Sequence, residues 1–247
     1  MGRERKKVVF LLFEGPSDYN AFYIPISRLF EEIDEEIEVI YGFIEDKNQE
    51  TGDITSKYGV NPTTIEDVLN KIVFKPNLNR EGLYPKDLLR VIQFVDMDGA
   101  YVSDDMIVYD ESCSKTKYSE KIYTDDVDKI VERNQRKRAN LDYLTSRTEI
   151  KVSSKKIPFE VYYSSVNLEH VISDISNFEG SKSNNSKEFC QDQAATTEGF
   201  NRFFSGVLPE ITDISYDKSW EFIKHNDNSL RRFSNIGLLI RQLLNHN

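Results

Sequence analysis

Two carboxylates close a short apolar run: residues 88 to 98 read Leu-Leu-Arg-Val-Ile-Gln-Phe-Val-Asp-Met-Asp, and Gly99 follows. Asp96 and Asp98 stand two residues apart, so extended backbone carried through Asp98 sends both side chains off on the same side. Ionised side by side, they repel unless a cation sits between them. A hard divalent ion meets that need: Mg²⁺ (or Mn²⁺) takes one or two protein carboxylates and keeps its waters for substrate phosphate. Asp-x-Asp-Gly is equally a common turn sequence, which leaves a plain acidic strand end as the structural alternative. Glu14 ends another apolar run, Val8 to Phe13, and leads into Gly15, Pro16, Ser17 and Asp18. Glu169 follows a third run, Ile157 to Tyr163, within Asn167-Leu168-Glu169-His170. A glutamate in a first helical turn is also favoured by the helix dipole alone, by about 0.3–1 kcal/mol. Asp104 and Asp105 could join such a site, or serve only as solvated turn acids.

The elements that must position these acids alternate in type. Runs of β-branched and aromatic residues too short for helices read as buried strands, at Val8 to Phe13, Ile37 to Ile44, Leu88 onward and Ile157 to Tyr163. Between the first two, Tyr19, Phe22, Tyr23, Ile26, Phe30 and Ile33 recur at helical spacing, with Pro25 expected to kink or split the helix. Glu45 to Val60 is polar and reads as a loop, in which Gly52-Asp53-Ile54-Thr55-Ser56 is a candidate substrate contact. A helix capped by Asn61 or Thr63 runs to Phe74 and is expected to stop at Pro76. The β-α-β-α-β series implies an α/β fold with a mostly parallel sheet flanked by helices, whose ligands collect at the carboxyl ends of the strands.

Residues 100–122 read as an insertion, and Thr124 as the cap of a helix over 124–146. Arg133, Arg136, Lys137 and Arg138, followed by Arg147, Lys151, Lys155 and Lys156, form the one basic concentration of the chain. They suit either a docked phosphate backbone or an ordinary solvated face. Asn167 is a helix cap, and His170 a structural residue. Residues 5–176 thus form the α/β domain. Gly180 to Ser186 reads as a linker, and 187–247 as a C-terminal helical extension with helices at Lys187 to Phe204, Asp217 to His225 and Ser229 to Leu244. Trp220 and Phe222 are its packing anchors.

At 247 residues, 38% hydrophobic and 30% charged, the chain can bury a full core. Its net charge of −10 argues against coating nucleic acid or anionic membrane, but not against a nuclease, whose metal site is itself acidic. Cys113 and Cys190 make neither a disulfide framework nor a thiolate zinc site, and His170, His225 and His246 lack metal-ligand spacing. With no apolar run long enough for a membrane and no signal-peptide core at the start, the expected location is cytoplasmic.

Glu14-Gly15 after the first strand and Asp96-x-Asp98 after a later one resemble the TOPRIM domain of topoisomerases, bacterial primases and OLD-type nucleases. Glu14-Gly15-Pro16-Ser17-Asp18 is similar to the OLD-type version, in which a second acid follows the glutamate, and Asn167-Leu168-Glu169 is similar to its further acidic motif. The resemblance implies a TOPRIM-like fold and Mg²⁺ held by Glu14, Asp18, Asp96, Asp98 and Glu169, with Glu14, Asp96 and Asp98 catalytic. It implies a nuclease acting on DNA or RNA, transfer RNA included, as an effector of bacterial phage defence. Arg133, Arg136, Lys137, Arg138, Lys155 and Lys156 would then contact nucleic acid. No Walker motif is present, so the implied partners include a separate ATPase chain, and also a second copy of this chain. The interval from Glu14 to Asp96 is long for a minimal domain of this type.

Phe94 to Ala100 also resembles the nucleophile motif of haloacid-dehalogenase-type phosphatases, with Asp96 attacking phosphorus and Asp98 as acid and base. That motif normally opens its domain, and Ala100 stands where threonine is usual. A third possibility is a TOPRIM-like binding module without catalysis.

Overall fold

A computed structural model of the chain describes residues 5–44 and 52–245. The first apolar run becomes β1 (Lys7–Phe13), buried from Val8 onward. It leads into α1 (Pro16–Ile33), where Asp18 closes the first turn by accepting the Gly15 N–H at 3.0 Å. The helix runs on through Pro25, so the split that the proline could have caused does not occur. Proline removes one backbone donor, but Pro25 is buried on the same face as Ala21, Phe22, Ile26 and Leu29, and that packing outweighs the local loss. Next comes β2 (Ile37–Phe43).

A second helical segment also passes the proline expected to stop it. It starts as α2 (Ile65–Leu69), widens into a π turn (Asn70–Phe74) and continues as α3 (Lys75–Arg80). Pro76 falls in the first turn of α3, where a missing N–H costs least, because the π turn has reset the hydrogen-bond register ahead of it. Then β3 (Leu88–Asp96) crosses the centre of the sheet.

The insertion folds as a small sheet of β4 (Ile107–Tyr109), β5 (Lys117–Tyr118) and β6 (Ile122–Thr124). It precedes α4 (Val127–Thr145), capped by Asp126 rather than Thr124. A hairpin not foreseen from the sequence follows, β7 (Glu149–Val152) against β8 (Lys155–Ser165). Beyond it lie α5 (Leu168–Ser173), α6 (Lys182–Asp192), α7 (Thr197–Ser205), α8 (Tyr216–Ile223), β9 (Phe233–Ser234) and α9 (Ile236–Leu244). The expected linker at 180–186 is thus largely helix, because the Ser181 hydroxyl accepts the Asn184 N–H and caps α6. The helix expected from Ser229 begins only at Ile236, since Phe233 and Ser234 first pair with β8.

The sheet order is β2-β1-β3-β8-β7. The first four strands are parallel, with β7 and β9 antiparallel to β8. Strand alternation divides the core. Val8, Phe10 and Leu12 face α2, α3, α4 and Trp220. Val9, Leu11 and Phe13 face α1 together with Phe189, Phe200, Phe204 and Leu239 of the later helices. Of the C-terminal helices, α6, α7 and α9 therefore complete one side of the sheet, and α8 packs on the other through Trp220 and Ile223. Among the described residues no helix is long and apolar enough to cross a membrane.

Candidate functional site

Parallel pairing brings the ends of β1, β3 and β8 to one edge, and the acids with them. Glu14 reaches across the sheet so that its Oε1 accepts the Asp96 N–H at 3.3 Å. Asp96 Oδ1 accepts the Leu168 N–H at 2.8 Å, which ties the end of β3 to the start of α5. Asn167 caps that helix by accepting the His170 N–H at 2.9 Å, and His170 Nδ1 accepts the Val166 N–H at 3.0 Å, a structural role.

Asp98 does not continue the strand. β3 ends at Asp96, and Asp98 (φ 49°) and Gly99 (φ 65°) turn into left-handed backbone while the Asp98 N–H donates to the Val166 carbonyl at 2.7 Å. The two aspartates are therefore not the same-side pair that extended geometry predicted. Gly99 also leaves room for its neighbours: a Cβ there would lie 2.7 Å from Leu230 Cδ2 and 2.8 Å from Ile122 Cδ1, so those side chains would have to shift.

The turn aims Asp98 at Lys137, which has no exposed surface. Lys137 Nζ lies 2.7 Å from Asp98 Oδ2 and 3.0 Å from Asp53 Oδ2, the latter an ion pair without a hydrogen bond. The assignment of Lys137 as a nucleic-acid contact is corrected by this burial: it belongs to the acidic cluster. Its place was legible, since Ile130, Asn134, Lys137, Leu141 and Leu144 share one buried helical face. Asp53, in the loop expected to contact substrate, instead pairs with Lys137, and Lys182, in the expected linker, joins the site without any signal in the sequence. Lys182 lies 3.0 Å from the buried carboxylate of Glu169.

Crowding shifts the proton affinities. Burial, then the nearby Asp53, Asp96 and Asp18, hold the Glu14 carboxyl well above the usual range, with Lys137 opposing. Asp18 is pushed up to about 7, chiefly by burial and then by Glu169. Asp96 is raised by burial and by Asp18, Asp98 and Glu169. Asp98 goes the other way: burial would raise it, but Lys137 and Arg133 outweigh burial and keep it ionised.

The remaining cations do not form one surface. Arg133 donates to the Asp98 carbonyl at 2.8 Å and the Tyr118 hydroxyl at 2.9 Å, bracing the turn. Arg136 donates to the Ser56 carbonyl at 3.2 Å, and Arg138 to the Val102 carbonyl at 3.2 Å and to exposed Asp104 at 3.4 Å. Asp104 and Asp105 are solvated turn residues. Lys155 and Lys156 begin β8, whereas the acids sit at its other end, about 33 Å away at ~3.3 Å per residue. A single footprint on all six basic residues is therefore corrected to two separate places. His246 lies outside the described residues.

The donor set is all carboxylate, which suits a hard cation. Among the described residues no three His, Cys, Asp or Glu side chains form a ready-made cation cage. Mg²⁺ needs only one or two carboxylates and fills its octahedron with water. Asp96 beside Glu14, both made proton-hungry chiefly by burial and then by neighbouring carboxylates, is the pair a divalent ion would relieve. No family model, curated protein or solved structure matches the chain.

Proposed function

We propose that the chain is a TOPRIM-like, Mg²⁺- or Mn²⁺-dependent nuclease that hydrolyses phosphodiester bonds of DNA or RNA, working as a phage-defence effector beside a separate ATPase. The observation that carries this proposal is Glu14, drawn across 82 residues of sequence to within 3.3 Å of the Asp96 backbone. Asp96 and Glu14 would hold the cation, with Asp18 and Glu169 as outer acids. When bound, the ion neutralises charge on the transferring phosphoryl group and makes a water acidic enough to lose its proton near neutrality. Glu14, the second acid at the ion, would accept that proton. Asp98, kept ionised by Lys137, is fixed by the turn rather than free to exchange protons.

The phosphatase alternative places no demand on Glu14, and the contact with Asp96 weighs against it. Glu14→Gln keeps the acceptor for the Asp96 N–H while removing the charge. It is expected to fold and to lose about 10²–10⁴-fold in nuclease rate, the usual contribution of a general base, as Asp96→Asn is also expected to do. Full activity of Glu14→Gln, or an Asp96 found phosphorylated after incubation with a phosphoester, would falsify the assignment.

A further inference from the structure

At the amino end of β8, the pole opposite the acids, the fold gathers lysines that lie far apart in sequence. The hairpin turn at Ser153 and Ser154 separates two hollows. One, of about 540 Å³, is lined by Lys71, Lys75 and Lys151, with Asp67 as its single acid. The other, of about 320 Å³, is lined by Lys86 and Lys155 beside Tyr84. Four of these five lysines are exposed, and among the described residues none of the five is within ion-pair distance of a carboxylate. In a chain of net charge −10, five lysines lining two hollows whose own walls hold one acid, with Glu66 turned to Tyr143 and the Lys151 N–H and Glu149 nearest Lys156, make a locally basic pole.

We propose that this pole is a second docking point for the phosphate backbone of a nucleic-acid substrate, one that holds the strand remote from the bond being cut. It rests on the nuclease proposal for what it binds, and its geometry adds a length. The separation of about 33 Å, one run of β8, is close to one turn of duplex at ~34 Å. The flank between the two poles is α4, which touches the acids through Lys137 and the hairpin through Glu66, whose carboxylate accepts from Tyr143 Oη at 2.6 Å and from the Lys151 N–H at 3.1 Å. Along it Arg136 lies 5.9 Å from the ring of Tyr58 and Arg147 4.5 Å from that of Tyr143, cation–aromatic pairs that can meet sugars and bases.

The test reverses Lys71, Lys75 and Lys151 to Glu in the full chain and measures binding of a fluorescent duplex of about two turns, ~20 bp, in EDTA. Without metal the readout is independent of catalysis. Affinity is expected to fall more than about tenfold, and the salt slope by roughly 3, near 0.9 for each phosphate that is no longer neutralised. Hydrolysis of the small diester bis(p-nitrophenyl) phosphate with Mn²⁺ should stay at the wild-type rate. If the triple reversal misfolds, Lys86→Gln with Lys155→Gln supplies the same comparison. Unchanged affinity and salt slope overturn the proposal, as does lysine-dependent capture of poly-glutamate alongside lysine-independent binding of the duplex, which would make the pole a site for an acidic protein. Failure of the nuclease proposal alone looks different: no diester is cut, while duplex binding still depends on the lysines.

Discussion

Lys137 is an ammonium without access to water, held between Asp98 and Asp53. Removing one partner of a buried ionic group leaves the others uncompensated, so Lys137→Met is expected to cost on the order of 3–5 kcal/mol in urea unfolding at pH 8 with chelator present. Adding Asp98→Asn should recover part of that loss; a double variant weaker than Lys137→Met would refute the pairing. Asp18 gives a pH signature. Folded, it keeps its proton up to about 7, while its ordinary value is 3.8, so between these limits the folded state binds more protons and stability falls as pH rises. The metal-free protein should therefore melt higher at pH 5 than at pH 8, and Asp18→Asn, which keeps an acceptor for Gly15, should reduce that slope by up to about 1.4 kcal/mol per pH unit. An unaltered slope would show that Asp18 titrates as an ordinary aspartate. At this scale the sequence shows which residues are acidic but not which cation answers each. Asp53 and Lys182 were not recognisable because their partners, Lys137 and Glu169, are placed by the fold and not by nearby sequence.

Asn70 joins two elements through a single side chain. Its Nδ2 donates to the Lys151 carbonyl at 2.5 Å and the Glu66 carbonyl at 2.9 Å, and its Oδ1 accepts the Ser153 N–H at 2.6 Å, pinning the π turn to the β7–β8 hairpin. Asn70→Ala should destabilise by about 0.5–1.5 kcal/mol, the net worth of hydrogen bonds that water can replace at the exposed hairpin groups, and speed amide exchange in β7 well before the central strands. Uniform exchange across the sheet would count against that local role. The central strands were legible because a parallel sheet covered on both faces demands continuous apolar runs. The prolines misled for the opposite reason. A local rule kinks or splits a helix at Pro25 and ends one at Pro76, but the buried face of α1 carries the helix past the first and the π turn before α3 past the second. β7 escaped notice because its four residues, exposed and buried in turn, are too few to separate from a loop.

Over the whole molecule, the C-terminal segment is part of the core. Asn235 Oδ1 accepts the Tyr163 N–H at 2.7 Å, Ser234 Oγ donates to the Tyr163 carbonyl at 2.8 Å, and Ile236, Leu239 and Ile240 share a cluster with α1 and β1. A chain ended at residue 176 should therefore fail to fold, read as lost near-ultraviolet dichroism and rapid proteolysis; a cooperative melt from that fragment would restore the view of 187–247 as an appendage. The alternation of strands and helices announced the sheet, but polar helices such as α6 gave no sign of which face they cover. The contact between Asp96 and the Leu168 N–H spans 72 residues and that between Asp98 and Lys137 spans 39. Contacts so distant in sequence form late, after the chain entropy between them has been surrendered. A nascent chain that has emerged as far as α4 already carries paired β1 and β3, with Glu14 against Asp96 and Lys137 against Asp98. What it lacks is the Leu168 N–H that fixes the Asp96 side chain and the carboxylate of Glu169, so the cluster is completed only once β8 and α5 have left the ribosome.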